Sequence, residues 1–178
     1  MSLDPTAWLY RREIWPEKNE IERESEGAIV IRETEHMASY VKKYANFEEI
    51  ARRVSERIGD KKVILLKRYE RILERRGNLI IYGGDFFGPN VLEKAFAFIG
   101  GGGTMNVESV LLGVKTVSLF PYRTEIERFL ESKGCLKKAE GWASLLAKLQ
   151  RVQEVCRLEL PDAADLIYRS LKVRGIIA

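Results

Sequence analysis

Short runs of consecutive apolar residues alternate along the chain with segments whose apolar residues recur at helical spacing. The runs predict buried strands at 28–31, 62–66, 78–82, 95–99 and 115–120. The intervening patterns predict helices at 46–58, 69–75, just after Pro89, at 104–112, from Thr124, along 142–149 and from Asp162 onward. In the helix that Thr124 caps, the spacing predicts that Ile126, Phe129 and Leu130 face inward.

Strands that alternate with helices in this way are typical of an α/β protein. We predict a Rossmann-like doubly wound parallel sheet with helices on both faces. Residues 28–178 would form this domain, and the polar residues 1–27 an extension or a linker remnant. Ligands of such sheets bind beyond the carboxyl ends of the strands, where the loops after Ile31, Tyr82, Ile99 and Phe120 are expected to meet.

A glycine turn between a predicted strand and a predicted helix carries the main chemical signal. It comprises Gly101, Gly102, Gly103 and Thr104, and it leaves backbone N–H groups and a helix N-terminus facing an anion. Glu108 lies one helical turn further on, within reach of a sugar beside that anion. These residues indicate a nucleotide or nucleotide-sugar diphosphate site, and the alternative is a tight turn followed by an exposed acid.

Other phosphate motifs fit the turn poorly. No Lys-Ser or Lys-Thr pair stands directly after the glycines, as a Walker-type P-loop requires. Asn106 stands where the dinucleotide fingerprint has its third glycine, and that fingerprint belongs to the first strand–helix turn.

Composition and charge narrow the class of protein. The 178 residues are 46% hydrophobic and 31% charged, which indicates a globular domain with a real core. The formal charge of +4 is modest, and Lys and Arg are interspersed with Glu, so we expect no nucleic-acid partner. Abundant Lys, Arg and Glu with few Gln also fits the surface of a thermophile protein.

The two cysteines, Cys135 and Cys156, are far apart in sequence and have no CxxC spacing or neighbouring histidine. We therefore expect neither a zinc site nor a redox pair, and a cytoplasmic location by default. No apolar run is long enough for a membrane span, and no signal peptide is apparent. We read Met1-Ser2-Leu3 as a cloning remnant.

Several segments together resemble an archaeal family of unknown function. That family is similar to the C-terminal halves of GT-B enzymes, notably UDP-N-acetylglucosamine 2-epimerases and the lipid-linked N-acetylglucosaminyltransferase of peptidoglycan synthesis. The resemblance spans about 28–149 and rests on five segments: 30–32, 38–40, 99–106, 111–121 and 129–134.

The resemblance implies a UDP-linked sugar as ligand, with no further cofactor and no metal. It places the diphosphate at Gly102, Gly103 and Thr104, and the ribose at Glu108, which stands five positions before Gly113. It places the base near Phe86 or Phe87. It also implies a partner, the N-terminal GT-B domain, which this chain lacks.

The loop after the first strand departs from the epimerases. They carry a His-Arg-Arg-Glu-Asn-type sequence there, whereas this chain reads Arg32-Glu33-Thr34-Glu35-His36. Arg32 is a candidate phosphate ligand or a surface ion pair, and His36 a candidate acid or base or a solvated side chain.

Five further residues keep two interpretations each. Phe86 and Phe87 would stack on a base or pack into the core, and Asn106 would bind phosphate or cap the backbone. Asp85 favours turn formation over ligand contact, and Arg123 is as well suited to a surface role as to the site.

Two functions of different classes follow. The first is nucleotide-sugar binding as the C-terminal half of a GT-B glycosyltransferase or epimerase-like protein. The second is a Rossmann-like binding or assembly module without catalysis. In either case no pair of acid and base is evident, so no catalytic residue is assigned and the isolated chain is expected to show no turnover. A homodimer through residues 1–27 or the last helix is one way to cover an exposed face.

Overall fold

The computed structural model describes residues 12–35, 45–150, 156 and 163–176. Two compact units divide the chain, and the larger is Glu17–Cys156. The smaller unit takes in Met1–Pro16 and Arg157–Ala178. Its described elements are a 3-10 turn at Arg12–Ile14 and a helix, α7, at Ala163–Val173.

The larger unit is built around one seven-stranded sheet in the order β3-β4-β2-β1-β5-β6-β7. Its strands are β1 (Ile29–Arg32), β2 (Val63–Leu66), β3 (Ile72–Arg76), β4 (Leu79–Gly83), β5 (Ala97–Gly100), β6 (Thr116–Ser118) and β7 (Leu136–Lys138). Its helices are α1 (Glu20–Glu24), α2 (Phe47–Arg57), α3 (Gly88–Leu92), α4 (Thr104–Leu111), α5 (Glu125–Ser132) and α6 (Trp142–Gln150).

Every strand pair is parallel except β3 with β4. The chain runs from β1 toward β2 and β4 in one direction, and returns to the other side of β1 with β5 and β6. The strand order therefore reverses between β1 and β5, which is where ligands of doubly wound sheets bind. The predicted fold class is confirmed.

Alternate residues of each central strand serve two separate cores, because side chains alternate between the faces of a sheet. On one face Ile29, Ile31 and Leu65 pack with α2 and α6. On the other face Val30, Ile64 and Phe98 pack with residues of α1 and α3. Helices thus cover both faces, and Ile21 of α1 shows that the segment expected to be an extension contributes to this unit from Glu17 onward.

The predicted helix at 69–75 is wrong. Residues Ile72–Arg76 form an edge strand that pairs antiparallel with β4, and Gly77 and Asn78 make the turn between the two strands. Gly77 has φ +61°, a value that glycine adopts readily in a two-residue hairpin loop. Tyr69, Ile72 and Leu73 stand at i, i+3 and i+4, and this spacing imitated a helix face in a half-exposed strand.

The predicted inward face of α5 is also wrong in part. Leu130 is buried, but Ile126 and Phe129 are about half exposed. The helix instead directs Glu127 toward the sheet, where its carboxylate accepts hydrogen bonds from Asn106 and Ser118. The Thr124 cap is confirmed, since its hydroxyl accepts a hydrogen bond from Glu127 N at 3.2 Å.

The two cysteines contradict the expectation that they do not pair. Cys135 and Cys156 form a disulfide, with their Cα atoms 5.1 Å apart. Sequence spacing alone gave no sign of this, because the pairing depends on where the fold places Cys135, just before β7. Disulfides are rare in the cytoplasm of mesophiles, so the expected location stays a prediction. No helix in the described ranges is long and apolar enough to cross a membrane.

Candidate functional site

The glycine turn lies at the carboxyl end of β5, beside the point where the strand order reverses. Gly102 and Gly103 have φ +98° and +85°, a region that side chains penalise. A methyl group on Gly102 would lie 2.6 Å from Phe120 Cδ2, whereas one on Gly103 would meet nothing within 4 Å. Gly103 and Thr104 are exposed, so the turn opens toward solvent at the start of α4.

The backbone N–H groups of this turn are available to a ligand. Gly101 N donates to Arg32 O at 2.9 Å, and Asn106 N donates to Gly103 O at 3.2 Å. Within the described residues, the N–H groups between them, from Gly102 to Met105, make no hydrogen bond to the protein. Unpaired N–H groups at a helix N-terminus carry partial positive charge and favour an anion.

The loop after β1 packs directly against the turn. A methyl group on Gly101 would lie 2.6 Å from Thr34 Cα, so these two backbones approach as closely as glycine allows. Thr34 is buried, and its hydroxyl has no hydrogen-bond partner among the described residues. The close approach fixes the loop after β1 relative to the turn after β5.

Asn106 lies behind the turn. Its side chain is buried and its Nδ2 donates to Glu127 Oε1 at 3.0 Å. Ser118 Oγ donates to the same oxygen at 2.7 Å, and Lys138 Nζ lies 3.3 Å from Glu127 Oε2. This buried polar network ties α4 to β6 and β7. Asn106 thus supports the turn from inside the protein and does not face the solvent.

Glu108 lies on the open side of α4 and is half-buried. Burial raises the pKa of its carboxyl above the ordinary value of 4.5. Its carboxylate has no hydrogen bond or ion pair in the part of the chain that the structure describes. A methyl group on Gly88 would lie 3.1 Å from Glu108 Oε2, so Glu108 sits against the loop that follows β4.

That loop, residues 84–88, carries both candidate aromatic residues. Phe86 and Phe87 are half-buried, and the Arg32 guanidinium carbon lies 5.0 Å from the centre of the Phe86 ring. Phe86 also packs edge-on against Tyr82, with ring centres 6.5 Å apart. One ring thus contacts the core and Arg32 together.

Glu22, a buried acid of α1, holds the 84–88 loop in place. One carboxylate oxygen accepts a hydrogen bond from Phe87 N at 2.6 Å, and the other accepts from Asn90 Nδ2 at 3.1 Å. Neither Glu22 nor Glu127 was predicted to matter. The buried partners of an acid are set by tertiary contacts that the sequence pattern does not reveal.

Arg32 is directed at the same edge of the sheet. Its Nη1 donates to Lys67 O at 2.7 Å, and burial, together with the nearby charge of Arg68, lowers its pKa to about 10. It therefore remains a cation at neutral pH. The expected surface ion pairs are made by its neighbours instead, since Glu33 and Glu35 bond to Lys67 and Arg68.

The remaining candidates lie outside this cluster. Asp85 and Arg71 form an exposed pair at 3.4 Å, and Arg123 lies 3.9 Å from Glu131. His36 and residues 38–40 fall outside the described residues. In the ranges that are described, no group of three or more His, Cys, Asp or Glu side chains could hold a metal ion.

The overall fold is similar to that of three solved enzymes, two glycosyltransferases and an epimerase. The structure is similar to UDP-GlcNAc 2-epimerase from Methanocaldococcus jannaschii, with a TM-score of 0.60 and 13% identity over 94% of this chain and 48% of the enzyme. It is also similar to the glycosyltransferase SnogD from Streptomyces nogalater, with a TM-score of 0.51 and 16% identity over 78% of this chain and 37% of that enzyme. A third match is the spinosyn forosaminyltransferase SpnP, with a TM-score of 0.53 and 16% identity over 89% of this chain and 43% of that enzyme.

The chain belongs to the family described as "Protein of unknown function (DUF354)", which matches residues 5–170. The resemblance expected from the sequence is therefore confirmed, both to a family of unknown function and to the fold of glycosyltransferases and an epimerase. The chain spans less than half the length of each of these solved enzymes. No curated protein matches it in sequence.

Proposed function

We propose that this chain binds a nucleotide sugar, with a UDP-sugar as the leading candidate, as one half of a two-domain glycosyltransferase or epimerase-like protein. The observation that carries the proposal is the open glycine turn with unpaired N–H groups beside the unpaired Glu108 carboxylate. An anion site next to an acid is what a nucleoside diphosphate requires, since its phosphates and its ribose hydroxyls lie side by side.

The diphosphate is assigned to the turn. Gly103 leaves room for a phosphate oxygen to approach the backbone, and the N-terminus of α4 adds the field of the helix dipole. Arg32 projects from the next strand over and supplies a fixed positive charge from the loop side. Thr104 is exposed at the first position of α4 and offers a hydroxyl to the same phosphate.

The ribose is assigned to Glu108 and the base to the 84–88 loop. A carboxylate can accept hydrogen bonds from two neighbouring hydroxyls, and Glu108 has no competing partner among the described residues. The loop that carries Phe86 and Phe87 lies against Glu108 at Gly88. Phe86 is already covered on one face by Arg32, so Phe87 or the loop backbone is the better contact for a base.

The partner of this half-site is a second domain facing the same sheet edge. The described residues offer a cation and an acid suited to holding a nucleotide, but no acid and base placed on both sides of a reacting centre. An assembly module that binds without chemistry is the alternative. Isothermal titration against UDP, UDP-N-acetylglucosamine, GDP-mannose and ATP tests binding directly. If none of them gave a binding heat, the nucleotide-sugar proposal would fail and the assembly module would be favoured.

The first prediction concerns the carboxylate of Glu108. We expect Glu108→Gln to weaken binding of UDP-N-acetylglucosamine by about 1–3 kcal/mol, the usual cost of losing a charged hydrogen-bond partner. Burial raises the pKa of Glu108, so the folded state favours its protonated form. At a pH above this raised pKa the carboxylate is ionised in the folded protein, and its burial then lowers the stability of the fold. The variant should therefore be no less stable than the parent at neutral pH.

Glu56→Gln is the matched control, since it changes an exposed glutamate on α2 that pairs with Arg52. Titration calorimetry and thermal unfolding on all three proteins separate affinity from stability. Parent and Glu108→Gln proteins with equal affinity would remove Glu108 from the site.

The second prediction concerns pH. Ribose hydroxyls donate to the ionised carboxylate, so affinity should fall as the pH falls through the raised pKa of Glu108. UDP-N-acetylglucosamine is the right ligand because its diphosphate diester does not titrate near pH 5–7. We expect the affinity of the parent to decline as the solution is acidified, while that of Glu108→Gln stays level. Parallel pH profiles for the two proteins would contradict the assignment.

A further inference from the structure

A second cavity lies at the opposite edge of the sheet, where the strands begin. It has a volume of about 590 Å³ and lies at the start of β1 and just before β5 and β6. Its walls are the ring of Phe96 and the side chains of Leu146 and Leu149, and its cations are Arg57, Lys61 and Lys115. The length of β5, about 13 Å at the usual rise per residue, separates it from the glycine turn.

Among the described residues, no acid neutralises the three cations of this cavity. Elsewhere in the unit most Lys and Arg side chains pair with carboxylates, as Lys62 does with Glu24 and Arg76 does with Glu74. Among the residues that the structure describes, neither Arg57, Lys61 nor Lys115 lies within 4 Å of a carboxylate. Lys115 Nζ donates to Leu149 O at 2.9 Å, and this backbone carbonyl supplies no full negative charge.

An aromatic ring lies beneath two of these cations. Lys61 Nζ and Lys115 Nζ lie 4.1 Å and 5.4 Å from the centre of the Phe96 ring. Phe96 is nevertheless 43% exposed, so part of the ring faces the cavity. Burial also lowers the pKa of Lys115, which means that its charge is poorly solvated where it stands. An anion bound beside Lys115 would stabilise its charged form and offset the solvation lost on burial.

We propose that this cavity binds a small organic anion, a carboxylate attached to a flat apolar body. The apolar body would lie against the exposed part of Phe96 and against Leu146 and Leu149, and the anion would lie between Lys61, Lys115 and Arg57. The volume is within the range of ordinary small-molecule sites. The occupant follows from charge complementarity, since the cavity offers cations and apolar surface without a carboxylate in its lining.

This site is independent of the proposed nucleotide site. It uses the amino ends of the strands, whereas the nucleotide is assigned to their carboxyl ends. Both ligands can therefore be bound at once. The ligand of the cavity would act on the nucleotide site from a distance, or it would be part of a larger anionic molecule to which the chain attaches. A negative result at one site therefore leaves the proposal for the other site unaffected.

The test uses a matched pair of probes, 2-naphthoate and the uncharged 2-naphthamide, titrated into the full chain and followed by amide chemical shifts. We expect naphthoate to bind at least about fivefold more tightly than the amide, as a charged hydrogen bond provides. The shifts should centre on Phe96, Gly113 and Lys115. Saturating UDP should leave them unchanged.

The double variant Lys61→Gln/Lys115→Gln should abolish the preference for naphthoate, and Lys137→Gln, which changes an exposed lysine of β7, should keep it. Thermal unfolding verifies that each variant is folded, and Phe96→Leu gives a second variant that should weaken both probes. Equal binding of the two probes, an unchanged preference in the double variant, or displacement of naphthoate by UDP would each overturn the proposal.

Discussion

Lys138→Met should lower the free energy of unfolding by about 3–5 kcal/mol, because it leaves the buried Glu127 carboxylate without its cation. The side chains of Lys138 and Glu127 are only 6% and 4% exposed, and their charged atoms lie 3.3 Å apart. Lys138 also donates to the carbonyl of Tyr122. Methionine retains most of the length and apolar volume of lysine. The lost free energy of unfolding therefore reports on the charge of Lys138 and its hydrogen bonds alone.

Lys137→Met is the matched control. Lys137 precedes Lys138 in the same strand, but it is exposed, because alternate strand residues face opposite sides. Urea unfolding followed by tryptophan fluorescence measures both variants, and the control should lie within about 0.5 kcal/mol of the parent.

The double variant Glu127→Gln/Lys138→Met should recover more than half of the loss. Glutamine keeps an oxygen for the hydrogen bonds from Ser118 and Asn106 and carries no charge to bury. If Lys138→Met were as stable as Lys137→Met, the ion pair would contribute nothing to stability.

The sequence pattern was sufficient for the central sheet because its strands are buried on both sides. Four apolar residues in a row, as in Val63–Leu66, leave few alternatives to a strand covered by helices. The glycine turn was equally readable, since a glycine cluster between such a strand and a helix has few other uses. These two features also fixed the edge of the sheet at which the candidate site lies.

The elements that the pattern missed are the ones with mixed exposure. Strand β3 is half exposed and highly charged, so its residues lack the alternation that identifies a strand, and the Gly77-Asn78 turn was the overlooked signal. In α5 the apolar residues Ile126 and Phe129 dominate the helical pattern, yet the buried face is set by Glu127. A buried acid cannot be recognised from sequence until its partners are known.

The residues of the candidate site divide in the same way, into those that the sequence identified and those that it did not. The turn and Glu108 could be named in advance because their chemistry depends on local spacing. The roles of Glu22 and Asn106 could not, because each depends on a contact with a distant segment, the 84–88 loop for Glu22 and α5 for Asn106.

The close approach of two backbones at Gly101 gives the second large effect that we expect. Gly101 N donates to Arg32 O at 2.9 Å, and an alanine methyl group would lie 2.6 Å from Thr34 Cα. Two of the three nearest atoms, Thr34 N and Thr34 Cα, belong to the backbone of the loop after β1, so a rotamer change cannot relieve the contact. The turn and that loop must separate, and overpacking of this kind costs about 1–3 kcal/mol of stability.

Gly101→Ala should therefore weaken binding of UDP-N-acetylglucosamine by about 100-fold. Moving the turn misaligns the N–H groups from Gly102 to Thr104 and withdraws Arg32, and the loss of two charged hydrogen bonds at about 1.5 kcal/mol each amounts to that factor. Circular dichroism at the titration temperature establishes that the variant is folded, so that calorimetry reports affinity alone.

Gly77→Ala separates the general cost of replacing glycine from this specific effect. Gly77 has φ +61° and open space around it, and it lies in the hairpin between β3 and β4. Alanine there should cost about 1–2 kcal/mol of stability through its left-handed backbone and leave nucleotide affinity unchanged. If Gly101→Ala kept the affinity of the parent while losing no more stability than Gly77→Ala, the glycine turn would be an ordinary connection, and the nucleotide would have to bind elsewhere.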